Sequence, residues 1–228
     1  MNTENKLSVI ITGSTGMVGE GVLHVCLNDA RVENILVINR KPCGIVHPKL
    51  KEIIRSDFFD LSSIENELKG YNACFFCLGI TSLRATEEQY SKITYDLTLY
   101  IANVLCKLNP DMTFIYVSGA GTTGDENARL MWVRVKSKTE NALAKLPFKK
   151  QFNFRPGFIK PIKGLKRVHP FYKYITWIFP IGRALYPNGF ATLREIGNAM
   201  LNACYIEDDR KNFEGKDIIA YGKTKSEE

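Results

Sequence analysis

Short apolar runs alternate with longer amphipathic segments along the first two thirds of the chain. A short apolar run bounded by turn residues is typical of a strand that is buried on both faces of a sheet. Six strands are predicted in this way, over Leu7 to Thr12, Ile35 to Ile38, Leu50 to Ile54, Ala73 to Leu78, Thr113 to Val117 and Lys150 to Phe154. Apolar residues at helical spacing predict helices over Met17 to Leu27, Leu61 to Leu68, Glu87 to Leu108 and Ala128 to Leu146.

The alternation of strands and helices predicts the fold class. Strands that alternate with helices through short loops form a parallel sheet covered by helices on both faces. We therefore expect an α/β protein with a Rossmann-like, doubly wound parallel sheet. After Gly157 the alternation stops, and the remaining predicted elements are a helix over Thr192 to Tyr205 and a short strand near Asp217 to Ala220. We interpret residues 1–228 as one domain, in which residues 158–228 form a small C-terminal cap.

The composition is that of an ordinary globular protein. Hydrophobic residues make up 45% of the 228 residues and charged residues 24%, which excludes wholesale disorder and a collagen-like fibre. No apolar run approaches the roughly 18 residues that cross a bilayer, and no signal peptide is visible, so we expect a cytoplasmic protein. The formal charge of +7 comes from one segment, since residues 141–194 hold 11 basic side chains and no acidic one.

Two cysteines form a Cys-x-x-Cys pattern, at Cys74 and Cys77. Residues three apart on a strand point to opposite faces of the sheet, so this pair can share neither a metal ion nor a disulfide. We interpret both cysteines as small core residues. The three histidines, at positions 24, 47 and 169, show no ligand spacing with Cys, Asp or Glu, and we expect no metal site.

A glycine-rich segment follows the first predicted strand directly. It reads Thr-Gly-Ser-Thr-Gly-Met-Val-Gly over residues 12–19, so three glycines open the first helix. Gly13 can form the tight turn, Gly16 can let the backbone approach a pyrophosphate, and Gly19 can let the helix pack on the strand. The N-terminus of the helix then offers free N–H groups and a positive dipole to a phosphate. The segment therefore predicts a dinucleotide-binding site.

The residues after the second strand predict which dinucleotide binds. Sites that prefer NAD usually place an acidic residue there, where it binds the ribose 2′-hydroxyl. This chain has Asn39, Arg40 and Lys41 instead, and the two cations suit a 2′-phosphate. We therefore expect NADP(H) to bind in preference to NAD(H). Asp57, which comes just after the third strand, is placed to meet the adenine amine.

These motifs together resemble those of a known superfamily. Six segments follow the order seen in extended and atypical short-chain dehydrogenase/reductases: the glycine loop, Asn39-Arg40, Ser56-Asp57, Cys77-Leu78-Gly79, Val117-Ser118-Gly119-Ala120 and Arg155-Pro156-Gly157. The run from Cys77 to Thr81, followed by Tyr95-Asp96, is most similar to the branch of the Tat-interacting protein of 30 kDa and to bacterial nucleoside-diphosphate-sugar epimerases. The resemblance covers roughly residues 7–220, and it is specific for the cofactor rather than for the substrate.

The resemblance implies a set of cofactor contacts and a catalytic set. The residues expected to bind the cofactor are Gly13, Thr15, Gly16, Met17, Val18, Gly19, Arg40, Asp57, Phe58, Cys77, Leu78, Gly79, Lys136, Arg155 and Pro156. Catalysis in the superfamily uses a serine at the end of the fifth strand, which Ser118 matches, and a Tyr-x-x-x-Lys on the next helix. That motif reads Trp132-Val133-Arg134-Val135-Lys136 here, so the lysine is present and the tyrosine is replaced.

The replacement of the tyrosine bears on whether the protein is an enzyme. The indole N–H of Trp132 donates a hydrogen bond but does not titrate in water, so it cannot replace a phenol in proton transfer. Trp132 and Lys136 are four residues apart on one helix and should face the same cleft. Either Tyr95 or Tyr100 could supply the proton instead.

Two functions therefore stay open for the chain. The first is an NADP(H)-dependent oxidoreductase or epimerase of modified mechanism, in which Ser118 and Lys136 act on an unidentified small molecule. The second is a non-catalytic, NADP(H)-sensing protein that regulates or binds a partner. The intact serine and lysine favour the first function, and Trp132 favours the second.

The basic and aromatic segment over residues 158–190 leaves its partner open. It could form a basic wall for an anionic substrate, or an amphipathic face that lies on an anionic membrane. Its aromatic residues could also pack as core or as the interface of a homodimer, with the lysines in solvent. Basic and aromatic residues also interleave on nucleic-acid-binding surfaces, but nothing here resembles a known module of that kind, so we expect no nucleic acid.

Overall fold

The computed structural model describes residues 6–162, 164–165, 178–207 and 209–223. Its centre is a parallel sheet made of β1 (Leu7–Thr12), β2 (Val32–Asn39), β3 (Leu50–Ile54), β4 (Ala73–Phe76), β5 (Thr113–Val117), β6 (Lys150–Arg155) and, at one edge, β9 (Asn212–Glu214). The seven strands lie in the order β3-β2-β1-β4-β5-β6-β9. The first six follow the strand order of a doubly wound nucleotide-binding sheet, so the predicted fold class is confirmed.

Helices cover both faces of this sheet. The helices among the described residues are α1 (Met17–Asn28), α2 (Glu87–Ser91), α3 (Leu97–Leu108), α4 (Met131–Leu143), α5 (Ile178–Leu185), α6 (Leu193–Ala203) and α7 (Gly215–Lys223). A π-helical turn over Lys92–Asp96 joins α2 to α3, so the helix predicted from Glu87 to Leu108 is continuous but contains one wider turn. The helix predicted before β4 is a 3₁₀ helix over Ser62–Leu68.

Two hydrophobic layers pack on the two faces of the sheet. Val9 and Ile11 of β1 pack in one layer with buried residues of α1 and α6, whereas Ile10 packs in the other with buried residues of α3. Cys74 belongs to the second layer and Cys77 packs against the first, so the two cysteines face opposite sides as predicted. Burial on both faces explains why the central strands β1, β4 and β5 are largely apolar runs in the sequence.

The prediction of a strand near Asp217 to Ala220 is wrong, because these residues are helical. The strand at the edge of the sheet is β9, which pairs with β6, and the residues that follow it form α7. Asp217 lies in the first turn of that helix, where its carboxylate accepts a hydrogen bond from the backbone N–H of Glu214 at 3.0 Å. An acidic side chain that accepts from a free N–H at a helix N-terminus stabilises the helix. Ile218 and Ile219, whose apolar run suggested a strand, are buried along α7.

The described part of the C-terminal segment is held by an aromatic cluster and an ion pair. Strands β7 (Phe158–Lys160) and β8 (Phe190–Thr192) form a separate two-stranded parallel sheet. The rings of Phe158, Phe179 and Phe190 lie with their centroids 5.2 to 6.3 Å apart. Arg183 of α5 forms an ion pair with Glu195 of α6 at 2.6 Å. Residues 163 and 166–177, which hold much of the basic and aromatic segment, lie outside the described residues.

Candidate functional site

The glycine loop forms a cradle, a tight backbone turn in which a side chain at Gly13 or Gly19 would collide with neighbouring backbone atoms. Gly13 has a φ of +70°, and a Cβ atom there would lie 2.8 Å from the carbonyl group of Cys77 and from the Cα of Leu78. A Cβ atom at Gly19 would lie 2.2 Å from the carbonyl oxygen of Gly13. Gly16 precedes α1, and its N–H donates to the carbonyl oxygen of Gly13 at 2.9 Å. The loop therefore depends on three positions without a side chain, as the sequence predicts.

A cavity of about 210 Å³ lies between this loop and the carboxyl ends of β1, β2 and β4. Ligands of doubly wound sheets bind in the crevice at this edge, where the strand order reverses. The cavity is lined by Gly13, Thr15, Gly16, Ile38, Asn39, Arg40, Phe58, Cys77, Leu78 and Gly79. The structure thus brings together eight of the residues predicted to bind the cofactor, from four separate parts of the sequence.

Asn39 is a cavity residue that the predicted site lacked. It is buried at the end of β2, where its Oδ1 accepts from the hydroxyl of Ser14 at 2.9 Å and its Nδ2 donates to Glu52 at 2.6 Å. The Glu52 carboxylate also accepts from the backbone N–H of Cys43 at 2.8 Å. This chain of hydrogen bonds ties the glycine loop to the segment that carries Arg40. The sequence signal was the asparagine itself, directly before Arg40 at the end of a buried strand.

The two polar residues predicted to read the adenosine end lie at different distances from the cavity. Arg40 is exposed at the cavity rim, and among the described residues it forms no ion pair. Asp57 is exposed and is not part of the cavity lining. Its Oδ1 accepts a hydrogen bond from the backbone N–H of Phe59 at 2.8 Å. The buried side chain of Phe58 lines the cavity beside it.

Six other predicted cofactor residues, among them Gly19 described above, also lie outside the cavity lining. Met17 and Val18 begin α1 and pack against the core. Arg155 is buried at the end of β6, where it pairs with Glu140 of α4 and, at 2.9 Å, with Glu214 of β9. Its three N–H groups in these contacts are engaged by carboxylates, so Arg155 joins three elements of the fold.

The remaining two of these residues lie near the loop after β5. The carbonyl oxygen of Pro156 accepts from the N–H of Ala120 at 3.0 Å, which holds that loop against the end of β6. Lys136 lies on the helix that follows the loop, and its position is described below. Neither residue reaches the 210 Å³ cavity.

Ser118 is buried directly after β5, and its hydroxyl lies 3.3 Å from the hydroxyl of Thr122. The Thr122 hydroxyl donates to the carbonyl oxygen of Gly119 at 2.9 Å, so the proton between the two hydroxyls must come from Ser118. In this arrangement the Ser118 proton points into the protein. Its oxygen keeps lone pairs that can accept a hydrogen bond.

Trp132 and Lys136 of α4 face the same glycine-containing loop, as their spacing predicts. A Cβ atom at Gly119 would lie 3.8 Å from the indole of Trp132 and 4.0 Å from the Cδ and Cε of Lys136. A Cβ atom at Gly121, where φ is +91°, would lie 3.4 Å from the same indole. Trp132 therefore packs over the loop that follows β5, at the position where the resemblance predicts a tyrosine.

The amine of Lys136 lies at the carboxyl end of β5. Its Nζ donates to the carbonyl oxygen of Val117 at 3.4 Å and lies 5.2 Å from the centre of the Tyr116 ring. Removal of the ammonium group from water lowers the pKa of Lys136 to about 8, and the carboxylate of Glu140 opposes that shift. The amine is therefore partly neutral in the physiological range.

The two tyrosines proposed from the sequence as proton donors have other contacts. The Tyr100 hydroxyl accepts from the backbone N–H of Leu61 at 3.0 Å, on the far side of α3 from α4. The ring of Tyr95 lies 4.3 Å below the amine of Lys138. Burial raises the pKa of Tyr116 well above its usual range, and its side chain is 1% exposed. These contacts bring neither Tyr95 nor Tyr100 to Ser118 or Lys136, whereas the buried ring of Tyr116 lies 5.2 Å from the Lys136 amine.

The described residues hold no group of three or more His, Cys, Asp or Glu side chains that could bind a metal ion. Within the same residues, no helix is both long enough and apolar enough to span a membrane.

The glycine loop, the cavity beside it and the strand order are those of a Rossmann-like, dinucleotide-binding α/β protein. Residues 9–150 match the NAD dependent epimerase/dehydratase family, and the chain belongs to that family. Protein HTATIP2 of Rattus norvegicus is 25% identical over 158 residues, which are 68% of this chain and 64% of that protein. The relationship inferred from the sequence motifs is therefore confirmed.

Fungal proteins are similar over the same region. FMP52-1 of Scheffersomyces stipitis, a mitochondrial protein, is 26% identical over 155 residues, which are 67% of this chain and 67% of that protein. FMP52 of Debaryomyces hansenii, also mitochondrial, is 28% identical over 153 residues, 66% of each chain. The matched region spans 52 to 67% of the length of such curated relatives. The prediction of a cytoplasmic protein is wrong, because it conflicts with the mitochondrial location of these relatives.

Solved structures share the fold at low sequence identity. The UDP-N-acetylglucosamine 4-epimerase from Methanobrevibacter ruminantium M1 has a TM-score of 0.65 and 17% identity, covering 91% of this chain and 75% of that chain. The ADP-L-glycero-D-manno-heptose-6-epimerase of Helicobacter pylori has a TM-score of 0.65 and 15% identity, covering 96% of this chain and 83% of that chain. This likeness shows the Rossmann-like fold.

Proposed function

We propose that the protein binds NADP(H) at the glycine loop and acts as an oxidoreductase or epimerase on a small molecule. The observation that carries the proposal is the cradle between Gly13 and Gly19, which opens on a cavity with Arg40 at its rim. Structural neighbours bind a nicotinamide dinucleotide, among them a UDP-glucuronic acid 4-epimerase from Bacillus cereus in complex with NAD. The family match over residues 9–150 supports the same cofactor class.

The residues present fit a dinucleotide laid along the carboxyl edge of the sheet. The loop from Gly13 to Gly16 and the N-terminus of α1 would hold the pyrophosphate with backbone N–H groups. Cys77 to Gly79, at the end of β4, would lie under the half that carries the nicotinamide, next to the end of β5. When bound, the nicotinamide supplies or accepts a hydride. The chain's own part is to bind, to orient and to exchange a proton near Ser118 and Lys136.

Arg40 supports the preference for NADP(H) over NAD(H). Its guanidinium is exposed at the cavity rim, directly after a strand end that carries Asn39 rather than an acidic residue. A charge-assisted hydrogen bond contributes about 1.5–3 kcal/mol, so one contact to a 2′-phosphate changes the affinity about tenfold or more. The same guanidinium makes no comparable contact with a neutral 2′-hydroxyl.

Calorimetric titration with NADPH and NADH at one fixed ionic strength tests this proposal. We expect the native chain to bind NADPH more tightly, and Arg40→Ser to lose at least about tenfold in NADPH affinity with NADH affinity unchanged. Lys69→Ser is the matched control, because it removes an exposed cation away from the cavity. Failure of the native chain to bind either dinucleotide would overturn the proposed cofactor. An equal loss for both dinucleotides would overturn the role of Arg40.

A second candidate function is a non-catalytic NADP(H)-sensing protein that regulates or binds a partner. It is favoured by the inward hydrogen bond of Ser118 and by the indole of Trp132, which covers the loop after β5. Trp132→Tyr distinguishes the two candidates, since it supplies a phenol one helical turn from Lys136. NADPH-dependent turnover of aldehydes or ketones by the native chain, or gained by this variant, supports the enzyme. NADPH binding without turnover in either supports the sensor.

A further inference from the structure

The end of β5 holds several hydroxyl groups, and most are committed to neighbours. The proton of Ser118 is given to Thr122, whose own proton is given to the carbonyl oxygen of Gly119. The ring of Tyr116 is buried below the amine of Lys136, and the Tyr100 hydroxyl, which belongs to α3 rather than to this loop, accepts from the backbone N–H of Leu61. None of these groups is placed to give a proton to a ligand in the cleft.

Lys136 differs from them in what it contacts. Its Nζ donates to one backbone carbonyl, that of Val117, and among the described residues it forms no ion pair. The acidic residue one turn further along α4, Glu140, is held by two N–H groups of Arg155 and is 2% exposed. The Glu140 carboxylate is thus committed to Arg155 and leaves the amine without a bound counter-ion.

The surroundings of the amine explain why it can change its charge. Tyr116 faces it from β5, Glu140 lies on its own helix, and Arg155 reaches that carboxylate from β6. Burial disfavours the ammonium form and lowers the pKa of Lys136 to about 8, although the Glu140 carboxylate and the face of the Tyr116 ring both favour the charged form. General acids and bases work best when their pKa lies near the working pH.

We propose that Lys136 is the acid–base group of this cleft and takes the part that a phenol would otherwise play. This inference rests on the proposed function. When a carbonyl carbon accepts a hydride from reduced nicotinamide, the carbonyl oxygen takes a proton from Nζ of Lys136. The N–H bond breaks, the O–H bond forms, and the neutral amine regains its proton from solvent. In the reverse direction the neutral amine accepts the hydroxyl proton.

The first test measures the ionisation of Lys136 directly in the full chain. Trace acetylation with acetic anhydride is followed from pH 6 to pH 11 by mass spectrometry of the modified peptides, with Lys138 as the control on the same helix. Lys136 is expected to titrate near pH 8. At pH 7.5 its neutral fraction is then on the order of 10²-fold larger than that of a lysine in a model peptide, and Lys136 should be acetylated faster than the exposed Lys138. A midpoint above pH 10 for Lys136 would overturn the proposal.

The second test asks whether a carbonyl group reaches the amine while the dinucleotide is bound. The chain is saturated with NADPH and treated with propanal and cyanoborohydride at pH 7.5, which alkylates a neutral amine. We expect Lys136 to be alkylated at least tenfold faster than Lys138. If bound NADPH abolishes alkylation of Lys136, the dinucleotide blocks access of the carbonyl compound to the amine, and the proposal fails.

Two variants separate this inference from the proposed function. Lys136→Arg keeps the cation but cannot titrate, so we expect carbonyl reduction, where present, to be lost even at saturating NADPH. Lys138→Arg is the control and should leave both the reduction and the NADPH affinity unchanged. Absence of NADPH binding to the native chain overturns the proposed function whatever the labelling shows. A high titration midpoint in a chain that binds NADPH overturns the role of Lys136 alone.

Discussion

Gly13 shows how closely a single residue specifies the candidate cofactor site. Its backbone has a positive φ, and the space where a side chain would begin is occupied by the backbone of Cys77 and Leu78. Both constraints come from the meeting of β1 with the end of β4. The sequence predicted a glycine turn here from the spacing of three glycines alone, and the structure supplies the reason.

Replacement of Gly13 by Ala tests the positive φ and the steric contact together, and comparison with Gly44→Ala separates the two. A left-handed alanine costs roughly 1–2 kcal/mol, and the contact at 2.8 Å with backbone atoms adds strain that no side chain can relieve. We expect Gly13→Ala to lower the free energy of unfolding by about 2–4 kcal/mol and to lose NADPH binding. Gly44→Ala is the matched control, with a φ of +72° and no atom within 4 Å of the new Cβ. Equal urea midpoints for the two variants would contradict the steric argument.

Lys136 predicts a dependence of stability on pH. Its pKa is about 8 in the folded chain, below the value of about 10.4 for a free lysine, so the unfolded chain binds more protons between these values. The native chain therefore carries the full cost of the buried ammonium below pH 8 and none above pH 10.4. We expect Lys136→Met to be more stable than the native chain at pH 7 by up to about 3 kcal/mol, with the difference lost by pH 10.5.

Urea unfolding at pH 7 and at pH 10.5 checks this dependence. The exposed Lys138→Met is its control and should show no comparable change between the two pH values. A Lys136→Met variant that is less stable than the native chain at pH 7 would show that the amine is solvated rather than buried.

At the scale of elements, Arg155 joins β6 to α4 and β9. The sequence placed it among the cofactor residues through its resemblance to a family motif, and the structure puts its guanidinium between Glu140 and Glu214. Neither carboxylate could be assigned from the sequence, because they lie 15 residues before and 59 residues after Arg155. Only the folding of the chain brings these charges together.

Arg155→Met is expected to destabilise the fold strongly. It leaves the Glu140 carboxylate buried without a partner, and such a change costs about 3–5 kcal/mol. Glu87→Gln breaks the exposed ion pair with Arg134 and should cost much less, because solvent screens that pair. Chemical denaturation of both variants compares the buried and the exposed pair. Similar losses for the two would mean that Glu140 remains hydrated.

The elements also show where sequence patterns succeed and fail. β1, β3 and β5 have their predicted bounds, and in β1 and β5 burial on both faces produces largely apolar runs. The run Ile218-Ile219-Ala220 has the same appearance but belongs to α7. Two features favour a helix there. The Asp217 carboxylate accepts a hydrogen bond at the first turn of α7, and the edge of β6 is already paired with β9. A run of three apolar residues carries no period of its own.

At the scale of the whole molecule, the C-terminal residues complete a sheet begun by the N-terminal ones. Phe213 of β9 is fully buried, stacked on Phe154 at 4.8 Å and edge-on to Phe152 at 5.3 Å. Its ring also meets Tyr221 of α7 at 5.2 Å. The last strand and helix are therefore anchored to the hydrophobic layer that also contains α1 and α6.

Phe213→Ala tests whether this anchor contributes to the stability of the whole molecule. Truncation of a buried phenylalanine to alanine costs about 3–5 kcal/mol through lost contacts and the cavity left behind. We expect a single unfolding transition with a lower urea midpoint and an unchanged slope. Phe59→Ala, at a side chain that is 37% exposed, is the control and should lose less than about 1 kcal/mol. Two separate transitions would instead show that the C-terminal segment unfolds on its own.

The sequence by itself determined the fold class, the succession of buried strands along the chain and the glycine-rich loop. These features follow from local patterns, since apolar runs and glycine spacing act within a few residues of each other. It also placed Trp132 and Lys136 on one face of a helix, because that relation is fixed by the helical period.

Only the tertiary structure decided which polar groups share a site. It put Asn39 into the cavity, drew Arg155 into an ion-pair network and turned the Ser118 proton towards Thr122. It also set the burial that lowers the pKa of Lys136 to about 8. Hydrogen bonds, ion pairs and desolvation depend on distances between residues far apart in the chain, and a linear sequence does not contain those distances.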